Sequence, residues 1–108
     1  MAVVEAPQRY EIWLLAAGGG SREPRPAVIV SPDEMNRHFQ AVIVAPMTTA
    51  ARAYPTRVPV RFEDKDGQIA LEQIRTVDKA ALVRRAGTLP AATAREIAGV
   101  LVELFAYD

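Results

Sequence analysis

The chain has 108 residues, no cysteine, and balanced formal charges, 13 cations against 13 anions. Its length sets one domain as the expectation, and the missing cysteine excludes disulfides, thiolate catalysis and cysteine-based zinc sites. The balanced total argues against a strongly basic nucleic-acid binder, but the distribution is uneven. Residues 35–62 hold no acid yet carry Arg37, Arg52, Arg57 and Arg61, and Lys65 and Lys79 are the only lysines. Arginine's planar fork suits phosphate, although an arginine-favouring codon bias with solvated charges explains the same excess.

Residues 1–7 lack both a basic region and a long apolar run, so they do not read as a secretory signal. No apolar stretch nears the roughly 20 residues that span a bilayer. The expectation is a soluble, cytoplasmic protein with a short tail over 1–8, one domain over 9–108 and no membrane partner.

Residues 10–15 (YEIWLL) read as a first strand, ending in the glycine-rich loop Ala16-Ala17-Gly18-Gly19-Gly20-Ser21. That loop lacks the later glycine of a dinucleotide site and the Gly-Lys-Ser/Thr ending of a P-loop. It reads as a flexible turn or a lid. Residues 25–31 (RPAVIVS) form a short β-branched run between two prolines, the pattern of a buried strand. Residues 32–36 read as a turn or a single helical turn. Residues 39–45 (FQAVIVA) give a third strand buried on both faces, with a loop from 48 to 55.

Residues 57–62 (RVPVRF) alternate as a half-exposed strand does, and Pro59 assigns that strand to a sheet edge or a bulge. Residues 63–67 (EDKDG) predict a hairpin turn with Asp-Gly at its end. A strand over 68–74 follows, then a weaker one over 83–89. Ile97, Val100, Leu101 and Leu104 recur at helical spacing and predict an amphipathic C-terminal helix. Thr88 or Thr93 is the expected cap, and Pro90 suits the first turn. Short strands closed by one helix predict a mainly β fold, a small, strongly bent antiparallel sheet or partly open barrel.

The chemistry-bearing residues gather at strand ends. Arg25 opens the second strand, and Thr48 and Thr49 follow the third. Antiparallel strands bring such ends to one rim, and a guanidinium beside hydroxyls is a phosphate-binding constellation. The lone His38 makes neither a metal site nor a catalytic triad. Ser21 and Ser31 lie outside any nucleophile elbow. Glu11, Glu23, Asp33, Glu72 and Asp78 lack the spacing of a calcium loop. The polar run over 72–79 (EQIRTVDK) is either a strand end with a salt bridge from Arg75 to Asp78 or Glu72, or a site wall beside Arg25.

Taken in order, several segments carry a resemblance: Glu11-Ile12-Trp13, Arg25-Pro26-Ala27-Val28-Ile29-Val30-Ser31, Pro46-Met47-Thr48-Thr49, Tyr54-Pro55-Thr56-Arg57-Val58 and the run from Leu71 to Lys79. With Gly87-Thr88-Leu89 and the amphipathic tail, the chain resembles the MazF/PemK family of toxin endoribonucleases over nearly all of residues 9–105. The resemblance implies a small SH3-like barrel of the CcdB/PemK type with a C-terminal helix, and a homodimer. It implies cleavage of single-stranded RNA without a metal or other cofactor, and inhibition by a cognate antitoxin with an acidic, flexible tail. It implies catalytic roles for Arg25, Thr48 and Glu72, the last positioning Arg25 or accepting a proton. RNA contacts fall to Ser21, Thr49, Tyr54, Arg57, Gln73 and Arg75. One departure is clear: the loop after the first strand is shorter and richer in glycine than the family's Asp-Pro-Thr-x-Gly-Ser-Glu-Gln form. Two other readings remain, a gyrase-binding toxin like the related CcdB proteins and an inactive homologue. The arginine–threonine pair speaks for the nuclease branch.

Overall fold

Runs of Val, Ile and Ala build a seven-stranded antiparallel sheet in the computed structural model, which describes residues 6–16 and 23–108. In chain order these are β1 (Glu11–Leu15), β2 (Arg25–Ile29), helix α1 (Asp33–His38), β3 (Ala41–Thr48), β4 (Arg57–Phe62) and β5 (Lys65–Ala70). A 3-10 turn over Leu71–Gln73 then leads to β6 (Arg75–Asp78), and a second over Lys79–Ala81 leads to β7 (Leu82–Thr88) and helix α2 (Ala91–Leu104). The continuous path runs β4-β5-β3-β2-β1-β7, with β6 also paired to β3.

β3 is the strand on which the sheet turns. Its first half pairs with β6, Val42 opposite Val77, while its last two residues pair with β5, Met47 opposite Ile69 and Thr48 opposite Gln68. Its other edge pairs with β2 throughout the overlap. One strand serving two partners along one edge forces the sheet to curl, and two register shifts between β1 and β7 add to the bend. The result is a strongly curled half-barrel closed by α2.

Alternation assigns the side chains of β2 and β3 to two apolar clusters. Val28, Ala45 and Met47 join Ile12, Ile69 and Leu71 in one, and Ala27, Ile29, Val42 and Val44 join Leu15 in the other. Both strands are therefore covered on both faces. Ile97 of α2 is fully buried in the first cluster, with Val100 and Leu101 packed beside it. Burying such a side chain contributes about 1.5–3 kcal/mol, which is what holds a helix that has no capping side chain. Neither Thr88 nor Thr93 caps it: the N-cap position is Pro90. Leu104, the last residue of the expected stripe, is 37% exposed because the helix runs past the edge of the sheet.

Several boundaries move for physical reasons. The third strand begins at Ala41 and runs through Thr48 because β5 pairs with its last residues. The hairpin turn is Glu63–Asp64, both left-handed at φ 50° and 62°, with Phe62 opposite Lys65. This is the two-residue geometry that matches strand twist. Gly67 lies instead inside β5, where an added Cβ would sit 2.9 Å from the Thr48 carbonyl oxygen, so its missing side chain lets β5 approach β3. The expected strand over 68–74 stops at Ala70, and the polar run after it supplies β6. Pro59 does lie on an edge strand, β4.

The expected turn after β2 is a full helix, α1, with Asp33 and Glu34 in its first turn and Arg37 and His38 in its last, the order the helix dipole favours. A buried lock ties it down. Ser31 Oγ donates to Asn36 Oδ1 at 2.5 Å, Asn36 Nδ2 donates to the Ser31 carbonyl at 3.0 Å, and the Ile43 N–H donates to Ser31 Oγ at 3.0 Å. Near the N-terminus Pro7 is buried and the Gln8 N–H donates to Glu11 Oε1 at 2.8 Å. No described helix is long and apolar enough to cross a membrane.

Candidate active site

The pairing of β2 with β3 decides where Arg25 goes. Ala27 pairs with Pro46, Val28 with Ala45 and Ile29 with Val44. Carried two residues further, that register sets Arg25, the first residue of β2, across from Thr48, the last of β3. Two neighbouring hollows meet at this point, of about 590 and about 440 Å3, and Arg25, Pro26, Met47 and Thr48 line both. The larger extends toward the β4–β5 hairpin, where Thr49, Phe62, Glu63 and Gly67 line it. The smaller extends toward Gln73 and Arg75. The guanidinium and the hydroxyl therefore sit on the saddle of one groove.

Both groups are available to a ligand. Arg25 is exposed and makes no ion pair among the described residues. Thr48 Oγ1 accepts the Ala50 N–H at 3.0 Å, which fixes the hydroxyl's direction and leaves its own proton to donate. A permanent cation beside an oriented hydroxyl donor is an arrangement that holds the non-bridging oxygens of a phosphate. Among the described residues, no three His, Asp or Glu side chains gather into a set that could hold a metal ion.

Glu72 faces a different duty from the one expected. It lines neither hollow. Its carboxylate accepts Arg57 Nε and the Thr56 hydroxyl, each at 2.8 Å, and pairs with Arg57 NH2 at 2.8 Å. The salt bridge expected from Arg75 to Asp78 or Glu72 is thus made by Arg57, because the 3-10 turn brings Glu72 back beside the start of β4. Partial desolvation pushes the Glu72 carboxyl up. The Thr56 hydroxyl, a backbone N–H and the Arg57 hydrogen bond and charge outweigh it and hold the group below its ordinary value.

Arg57 is likewise committed. Its side chain is 7% exposed, and NH1 donates to the Ala50 carbonyl at 3.1 Å and to Gln68 Oε1 at 3.0 Å. Its guanidinium lies 5.2 Å from the centre of the Tyr54 ring. Gln68 adds two bonds to the Arg52 backbone, at 3.0 and 3.2 Å. Arg57, Glu72 and Gln68 form a clasp that fixes the segment after β3, and with it Thr49, against β5.

A model of the PemK-like, MazF-like toxins of type II toxin–antitoxin systems matches residues 8–105. The chain belongs to this family. The endoribonuclease MazF of Staphylococcus saprophyticus is 41% identical over 63 residues, a stretch covering 51% of this chain and 51% of that relative. The chain thus matches about half the length of that curated relative. A mycobacterial endoribonuclease solved in complex with its cognate antitoxin superposes with a TM-score of 0.82 at 29% identity, over 95% of this chain and 98% of that one. The Mycobacterium tuberculosis toxin MazF-mt6 gives 0.78 at 25% identity, over 91% and 98%.

Within this PemK/MazF-like fold, the groove brings together Arg25, Thr48, Thr49, Gln73 and Arg75 of the residues expected at the site. It leaves Glu72, Arg57 and Tyr54 in the clasp beside it. Ser21 lies outside the described residues. The groove also contains side chains that sequence reasoning did not select, Glu63, Lys65 and Arg84. Gln68 was missed as well: a single glutamine in a strand gives no pattern to notice.

Proposed function

We propose that this chain is a toxin endoribonuclease that cleaves single-stranded RNA at Arg25 and Thr48 without a metal ion. RNA carries its own nucleophile in the 2′-hydroxyl. Its oxygen gives up its proton to solvent and attacks the adjacent phosphorus, the bond from phosphorus to O5′ breaks, and O5′ takes up a proton from solvent. The products are a 2′,3′-cyclic phosphate and a 5′-hydroxyl. Such a reaction needs alignment and stabilisation of the charged phosphorane more than an activated water. Arg25 supplies the fixed positive charge, because a guanidinium carries only donors and suits charge stabilisation and not proton abstraction. Thr48 donates a second hydrogen bond and fixes register. Glu72 serves as a positioning residue, through Arg57 and the segment that carries Thr49.

The observation that carries this reading is the meeting of Arg25 and Thr48 on one groove while Arg57 is wholly engaged by protein acceptors. Arg75, Lys65 and Arg84 line the same groove and suit a polyanion. The acidic tail of a cognate antitoxin would compete for it, and a mycobacterial neighbour was solved with its antitoxin bound. A homodimer and a cytoplasmic setting complete the reading and rest on the family. The decisive experiment incubates purified protein with single-stranded RNA in EDTA. Cyclic-phosphate ends that disappear in Arg25→Ala support the proposal; intact RNA, or 3′-hydroxyl ends, refutes it.

A further inference from the structure

The larger hollow has a feature that cutting a phosphodiester does not require. Carboxylates line a surface proposed to receive a polyanion: Glu63 and Asp66 from the β4–β5 hairpin and Glu23 from the approach to β2. Acids beside an RNA backbone repel it, so their presence calls for another ligand group. The rest of the wall supplies a platform, with Phe62, Val60 and Pro24 offering apolar surface. Base recognition in single-stranded RNA combines such stacking with hydrogen bonds to splayed base edges.

We propose that this hollow is a base-reading subsite selective for guanine, with Glu63 as its reader. The inference rests on the ribonuclease reading above. Because Arg25 and Thr48 border the hollow, a phosphate held there places a flanking base within it. Asp66 already accepts Arg61 NH1 at 2.9 Å. Glu63 makes no ion pair among the described residues. It stands in a tight left-handed turn, so its backbone position is set by the hairpin. An ionised carboxylate only accepts hydrogen bonds, so the base edge facing it must donate. Guanine alone presents two adjacent donors, N1–H and the N2 amino group, on its Watson–Crick edge. Adenine and cytosine offer one amino donor beside an acceptor. Uracil offers N3–H between two carbonyl oxygens that a carboxylate repels. The smaller hollow carries Arg75 and Gln73 and no acid, so the selectivity is confined to one side of the scissile phosphate.

The test uses short RNAs with a 2′-O-methyl group at the scissile position, which blocks cutting, and varies each flanking base in turn. Binding is read by fluorescence anisotropy. At one flanking position guanine should bind about tenfold tighter than uracil, the discrimination expected of a good bidentate contact. Glu63→Gln, which both donates and accepts, should narrow that ratio below about threefold. Glu63→Asp, too short to reach, should do the same, and decides the matter if Glu63→Gln fails to fold. Glu34→Gln, at a residue that lines neither hollow, should leave the ranking unchanged. A panel in which guanine is nowhere first, or in which the Glu63 variants keep the parent ratio, overturns the proposal. Cutting of the unmethylated RNAs is scored separately. Guanine preference without cutting would sink the ribonuclease reading alone, and cutting without guanine preference would sink the subsite alone.

Discussion

Replacing Glu72 by alanine separates two roles that its chemistry allows. The substitution removes one hydrogen bond from Arg57 Nε, the ion-pair contact with its NH2 and one hydrogen bond from Thr56. A hydrogen bond to a charged group contributes about 1.5–3 kcal/mol when its loss leaves the partner unmet. Arg57 keeps its NH1 bonds to Ala50 and Gln68, and the Glu72 side chain is 27% exposed, so solvent screens part of the interaction and water can enter the vacated space. The net cost should be about 2 kcal/mol, a fall of roughly 10 °C in melting temperature for a domain of this size. Because Glu72 lines neither hollow, kcat at a temperature where the variant is folded should fall less than about tenfold, with a rise in KM as Thr49 loosens. Thermal unfolding followed by circular dichroism and cleavage of a fluorogenic RNA measure the two quantities. A loss of about 100-fold in kcat at unchanged stability would mean that Glu72 acts on the reacting atoms, and the clasp would not be its main duty.

Arg25→Ala should lose about 100- to 1000-fold in rate with its melting temperature within about 2 °C of the parent, since it removes a preorganised cation that makes no ion pair among the described residues. Thr48→Val should lose about tenfold, and both are read by single-turnover cleavage. Acid should expose the Glu72 clasp. Its folded carboxyl lies below the ordinary value of 4.5, so the unfolded chain takes up the proton first. That stability is present above about pH 4.5 and is lost as pH falls through the lower folded value. Urea midpoints measured from pH 3 to 6 should therefore fall less steeply in Glu72→Gln than in the parent; parallel curves would contradict the assignment. Gly67→Ala should cost about 1–3 kcal/mol and reduce cleavage, because a Cβ 2.9 Å from a backbone oxygen forces β5 and β3 apart beneath Thr48.

Much of the sheet was legible because its signals are local. The β-branched runs of β2 and β3 identify themselves by composition, and Pro59 declares an edge by its missing N–H. Arg25 and Thr48 were legible for the same reason, since strand ends carry them and antiparallel pairing brings strand ends to one rim. The misplaced features depend on partners distant in sequence. β6 shows a polar run, with only Val77 partly buried, because its order comes from pairing with β3 and not from its own side chains. Gly67 reads as a turn residue until the Thr48 carbonyl is seen against it. Glu72 and Arg57 are 15 residues apart, and no spacing rule joins them.

The arginines show why residue type alone does not locate a site. Arg25 and Arg57 each begin a strand, and each suits a phosphate by its chemistry. Their surroundings assign them opposite work. Arg57 is enclosed, and all three of its guanidinium nitrogens meet protein acceptors. A ligand phosphate would have to displace Glu72, Ala50 and Gln68 to reach it. Arg25 stands in the open where two hollows meet, held in place by its strand and making no ion pair among the described residues. A cation that stabilises developing charge must be fixed in position and unspent in bonding at once. The backbone pairing of β2 with β3 fixes Arg25, and the clasp beside the groove lets the segment after β3 hold its shape without drawing on that guanidinium.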